Sequence, residues 1–374
     1  MADTVRVGER IDWGLAAATG RRLSRPGPAT TGYTRDRAAE QLLGFAVSSE
    51  DHVRDTTGLT AAAAQRPARV VDRAEWITAA AESMGTLLGS PADAAPRPHR
   101  GGLLGVAAAV GAGLGEKVAG AQAGALLAFL SGAILGQFDP FAGGAADGVP
   151  AADPDGRGEL LLVAPNIIGV ERALDLVPDD FRMWVCLHEV THRVQFGANP
   201  WLAGYMTDNV ALISAQAGES TAEMLERLVG SLRGGSGADS GAQRQPGVLG
   251  VLQLLQGPEQ FAAVENLLML GTLLEGHADH VMDAVGPAVV PTVATIRAAF
   301  DRRRSRPQNP IQRLLRALLG LDAKTAQYVR GKQFVDAVVE TVGMERFNAI
   351  WTSAETLPRT AEIEDPAAWI ARVL

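Results

Sequence analysis

Residues His188-Glu189-Val190-Thr191-His192 constrain this chain more than any other stretch of it. Two histidines four apart lie on one face of a helix, a turn from each other, so their imidazoles can converge on a single metal ion. Glu189, next to the first histidine, can aim its carboxylate at a metal-bound water and act as general base. The flanks support a bounded helix. Pro178-Asp179-Asp180 is a helix-start signal. Apolar residues follow at Phe181, Trp184, Val185, Leu187, Val190 and Val194, close to helical spacing. Gly197 and Pro200 are stop signals. Two histidines and a carboxylate in so apolar a helix need a partner, because buried polar groups without one are costly. A metal ion serves.

Composition bounds the alternatives. The 374 residues suffice for one large domain or two smaller ones. Hydrophobic residues make up 47% and charged residues 20%, with aromatics scarce, which favours close-packed helices. A formal charge of −8 gives no global attraction for nucleic acid. The basic cluster Arg302-Arg303-Arg304 with Arg306 reads as a solvated helix end or loop. The single cysteine, Cys186, excludes an intramolecular disulfide and a thiolate-rich zinc site. The N-terminus carries charges of both signs and no apolar stretch of signal-peptide type, so a cytoplasmic protein is the default expectation. Residues 103–138 are nearly uncharged, but Ala and Gly dominate them and they lack aromatic belts. They read as a buried helix or helix pair rather than a membrane span.

The organisation expected is helical. A helical N-terminal region covers residues 1–100, with helices near 36–48 and 70–88 and a linker-like break from Pro91 to Gly102. Residues 101–374 form the metal-binding domain, possible as one continuous domain with that region. Asp139–Gly158 reads as a long loop. Glu159–Ile168 is the best strand candidate, with Pro165 marking an edge or a strand end. Helices follow at Ala203–Ile213 and Glu219–Leu232, then a loop at 234–247, then a long helix from Pro258 to Gly286-Pro287. Four or five helices complete the chain, the last opened by Asp365-Pro366.

A catalytic zinc takes three protein ligands and leaves one position open. A third histidine just beyond the motif is absent: Gln195 stands where that pattern has its glycine. The segment Glu275-Gly276-His277-Ala278-Asp279-His280 concentrates ligand chemistry on the 258–286 helix. At about 100° per residue, Asp279 lies on the face of Glu275, whereas His277 lies roughly 200° away. Glu275 can therefore coordinate the ion while Asp279 accepts a hydrogen bond from the far nitrogen of a ligating histidine. Glu219, Glu223, His277 and His280 are the rival third ligands.

The pairing of His188-Glu189-x-x-His192 with a later helical Glu275-Gly276 and Asp279 resembles the gluzincin pattern. More specifically, the chain resembles a mainly actinobacterial family of zinc-dependent metalloproteases also labelled coenzyme F-420 biosynthesis-associated. The segments 187–196, 275–279 and Val285-Gly286-Pro287-Ala288-Val289-Val290-Pro291 carry the likeness. It implies a mainly α, zincin-like helical core with a small β element, wrapped by N- and C-terminal helices, and one catalytic Zn²⁺. The gap from His192 to Glu275 is longer than gluzincins usually have, which keeps Glu219 and Glu223 in play. The expected activity is hydrolysis of a peptide or amide bond, with Glu189 as base and Tyr205 or His277 as the neutral donor to the oxyanion. The expected partner is a peptide or protein substrate. A non-peptide amide hydrolase, or a catalytically silent domain acting by protein binding, are the alternatives; a silent site needs no Glu189.

Overall fold

The computed structural model describes residues 10–61, 65–89, 103–142, 158–214, 258–305 and 321–374. The expected break at 91–102, most of the 139–158 loop, the 219–232 helix with Glu219 and Glu223, the 234–247 loop and Arg306 lie outside the described residues. The fold is mainly helical around one small sheet.

Helices α1 (Trp13–Leu23), α2 (Gly32–Thr57), α3 (Arg73–Leu88) and α4 (Leu103–Leu130) precede or surround that sheet. Its strands are β1 (Arg69–Val71), β2 (Gly136–Asp139) and β3 (Glu159–Val163), in the order β1-β3-β2. β1 runs parallel to β3, with Val70 opposite Leu162; β2 runs antiparallel to it, with Gln137 opposite Leu161. As the central strand, β3 is covered on both faces. Side chains alternate along a strand, so Leu160 and Leu162 enter one core while Leu161 and Val163 enter another. That is why this run is continuously apolar.

The strand ends earlier than expected. Val163 is the last β3 residue, and α5 (Ala164–Ala173) starts at once with Pro165 in its first turn. A proline there loses no helical hydrogen bond and its fixed φ suits the helix. α6 (Pro178–Ala198) carries the metal motif and opens on Pro178. Gly197 does not stop it; Asn199 is the C-cap.

α6 is the axis of the larger core. α2 lies along it, presenting Leu42, Ala46, Ser49 and Val53 at helical spacing. Polar groups on this contact are paired: the Arg193 guanidinium donates to the Ala46 carbonyl (3.1 Å) and to Glu50 (2.8 Å). Arg182 is paired with Glu171 at 2.7 Å and also bonds Gln41. On its other side α6 meets α8 (Pro258–Val285), which packs in turn on α7 (Trp201–Ser214) and on α10 (Leu321–Val342). α9 (Val293–Ser305) touches α6 through Phe300, whose ring lies 5.2 Å from Trp184. After α10 come the short α11 (Met344–Phe347), two 3-10 turns and α12 (Pro366–Val373), whose Trp369 is buried against Phe334 and Phe347. α12 begins after Asp365, as expected, and the Asp365 carboxylate caps Ala368 N–H.

The 103–138 stretch divides differently from expectation: α4 ends at Leu130 and β2 follows. α4 packs on α1 through glycines. A Cβ on Gly124 would sit 2.4 Å from the Ala16 carbonyl oxygen, so the two backbones touch there. Among the described residues no helix is long and apolar enough to cross a membrane.

Candidate metal centre

His188 and His192 stand one turn apart in the middle of α6, and Glu275 reaches them from α8, which crosses it. Nε2 of His192 is 3.2 Å from Nε2 of His188. The Glu275 carboxylate places Oε2 3.4 Å from His188 Nε2 and Oε1 3.9 Å from His192 Nε2. One donor atom from each residue lies within 4.8 Å of the others. Bonds near 2.0 Å in a tetrahedron hold neighbouring ligand atoms about 3.3 Å apart. The donor set, two imidazole nitrogens and a carboxylate oxygen, is the type zinc takes with one position left open. The group fits.

Charge organises the same cluster. Burial lowers the His188 imidazole, but the hydrogen bond and charge of Glu275 outweigh it and raise its pKa to about 9. His192 is lowered by burial and by the neighbouring His188. Glu189 is 8% exposed. Burial raises its pKa to about 7, against the opposing charge of His188, with Glu275 raising it further. Gly136, the first residue of β2, presses on it: a Cβ there would lie 2.6 Å from Glu189 Cγ. Any side chain at 136 would therefore displace the carboxylate.

The other expected residues fall elsewhere. Asp279 does not bond a ligating histidine; it pairs with Arg297 at 3.4 Å. The far nitrogens face two residues not foreseen in that role. His188 Nδ1 is 3.3 Å from Met282 Sδ, and His192 Nδ1 is 2.9 Å from Gln195 Oε1. Asp279 turns away because Arg297, which also holds Asp283 at 2.6 Å, draws it toward α9. Helical spacing carried a signal for both replacements: Met282 is two turns beyond Glu275 on its face, and Gln195 is a polar residue one turn beyond His192 in a buried helix.

His277 is neither a ligand nor a cleft donor here. It is fully buried, with its ring stacked on Phe347 (5.6 Å, 11°) and edge-on to Trp351 (5.3 Å). His280 Nδ1 bonds Asp336 at 2.7 Å instead of the cluster. Tyr205 sits on α7, edge-on to Trp201 at 5.9 Å; burial raises its hydroxyl pKa, against a hydrogen bond with the Asn209 side chain.

With the geometry in place, the class of protein follows: the chain belongs to the zincin-like metallopeptidase family, which it matches over residues 11–370. Its architecture is similar to a crystal structure from Chloroflexus aurantiacus described as a candidate hydrolase with a novel fold. That likeness has a TM-score of 0.63 and 26% sequence identity, covering 97% of this chain and 98% of the other. No curated protein matches the chain.

Proposed function

We propose that this protein is a zinc-dependent peptidase that cleaves a peptide or protein with a metal-activated water. The observation that carries the reading is the convergence of His188, His192 and Glu275 beside an intact, buried Glu189. His188, His192 and Glu275 would hold the zinc ion, which would lower the pKa of a bound water and polarise the scissile carbonyl. Glu189 takes the proton from the attacking water and delivers it to the leaving amine nitrogen. A carboxylate raised toward neutrality by burial suits a group that must both accept and return a proton. Of the two neutral donors expected for the oxyanion, His277 is enclosed in the core, which leaves Tyr205.

The sheet supports a peptide over other amides. β2 pairs with β3 on one side, and among the described residues no strand pairs with its other edge. A free strand edge can bind an extended peptide through backbone hydrogen bonds. β2 begins at Gly136, in contact with Glu189, so a peptide laid along it would pass the catalytic carboxylate. We propose a cytoplasmic enzyme with no role for nucleic acid; an association with coenzyme F-420 stays with the family resemblance.

The test is zinc content alongside cleavage of a peptide mixture. Purified protein is expected to hold one zinc per chain, and Glu189→Gln to keep it while cleavage falls by roughly 10²–10⁴-fold, the usual contribution of a general base. Undiminished cleavage by Glu189→Gln would overturn the mechanism, and unchanged zinc content in His188→Ala would overturn the metal site.

A further inference from the structure

Gln195 lies one turn beyond His192 on α6 and is fully buried. Its amide meets three polar atoms, and their chemistry leaves a single arrangement. The Leu274 carbonyl oxygen, 3.0 Å from Nε2, can only accept a hydrogen bond. The amide NH₂ must therefore face it, which settles an orientation that amide geometry alone leaves ambiguous. Oε1 is then the atom 2.9 Å from His192 Nδ1. An amide oxygen has no proton to give, so the Nδ1 proton must be on His192. The Nε2 lone pair of His192 is left facing His188 and Glu275.

The second amide hydrogen has a destination too. It points to His277 Nδ1, 2.9 Å away, so that nitrogen must be bare and the His277 proton must sit on Nε2. Phe347 and Trp351 hold the ring on two sides. Consecutive positions of α8 diverge by about 100° each and so serve different neighbours: Glu275 faces the metal cluster, Gly276 packs on the Gly331 backbone of α10, and His277 meets Gln195.

We propose that Gln195 is a positioning residue that holds His192 as its Nδ1–H tautomer, presenting Nε2 to the metal, and that His277 and the Leu274 carbonyl serve as its anchors. The purpose of this clamp rests on the metal reading above; the tautomer itself does not. The three-way pattern also explains why a neutral amide stands here. A carboxylate could accept from His192 but would meet two further acceptors, the Leu274 oxygen and a bare His277 Nδ1.

Nitrogen-15 NMR of the histidine rings, in wild-type protein without metal, tests the clamp directly. The expected result is His192 protonated on Nδ1 and His277 on Nε2. Gln195→Glu is expected to keep His192 on Nδ1–H while His277 moves its proton to Nδ1 to meet the new carboxylate. Gln195→Leu is expected to lose the His192 preference and to weaken zinc binding about 10–100-fold in chelator competition, with Gln195→Glu restoring most of it. The proposal is overturned if wild-type His192 carries its proton on Nε2. It is equally overturned if the Leu variant binds zinc as tightly as wild type with the tautomer unchanged. The first measurement needs no variant to fold. Failure of wild type to bind zinc would sink the metal reading, while the tautomers would still decide the clamp.

Discussion

Two helix crossings in this molecule are built on opposite principles. Where α1 meets α4, Gly20 and Gly124 remove side chains altogether, and backbone rests on backbone. Where α6 meets α8, long polar side chains are kept and matched atom to atom: Gln195 with the Leu274 carbonyl and His277, and Glu275 with both motif histidines. The first crossing maximises dispersion contact and offers no chemistry. The second buries groups that are costly alone and tolerable only as a complete set. The candidate metal centre sits at the crossing where polar groups were retained.

If polar pairing governs the α6 side, breaking one pair there should cost more than any other change considered. Glu171→Ala strands the Arg182 guanidinium, 5% exposed, inside the larger core. A loss of about 3–5 kcal/mol in urea unfolding is expected; a loss below about 1 kcal/mol would mean that water reaches Arg182 and that the contrast fails. Zinc should add to the same side. At a free concentration near 100 times its dissociation constant, about 2.7 kcal/mol of stabilisation is expected by thermal unfolding, and none in His188→Ala.

The glycine crossing should respond to size instead. In Gly124→Leu the added carbons meet the Ala16 carbonyl and the Gly20 nitrogen, which are backbone and cannot turn aside. A loss of about 1–3 kcal/mol is expected, with zinc affinity unchanged in chelator competition. A fall in zinc affinity would show that the two crossings are coupled. The smallest effect belongs to α3, where the Asp72 side chain accepts from the Ala74 and Glu75 amides. Asp72→Ala should remove about 1 kcal/mol and leave the metal site untouched.

The parts of this fold legible in sequence are those where local pattern and tertiary role agree. α6 is bounded by Pro178 and carries its motif mid-helix, and α8 spans Pro258–Val285, because periodicity and cap residues dictate both. Strands β1 and β2 escaped notice: three or four residues are too few for a period, and only pairing with β3 makes them strands. The run 159–168 changes from strand to helix at Ala164 while staying apolar, so hydropathy cannot mark the switch, although Pro165 can. At the site, ligand chemistry and helical angle pointed to Glu275 among several rivals, and the structure brings its carboxylate to both histidines. Asp279 did not keep its expected partner, because Arg297 on α9 competes for it and no local rule foresees a neighbour 18 residues away. His277 shows the same limit: residue type suggested reactivity, while the aromatic walls from α11 and the turn after it belong to tertiary structure.

The single turn Leu274–His277 contributes the carboxylate of the candidate metal centre, a backbone acceptor and a ring nitrogen to its neighbours. None of the three can be withdrawn without the others, because they share one rigid backbone. A molecule whose α8 has slipped from α6 thus loses its third donor and the restraint on His192 in the same motion. Under the proposed function, catalytic competence becomes a report on the integrity of the fold: a damaged or half-folded copy disarms itself.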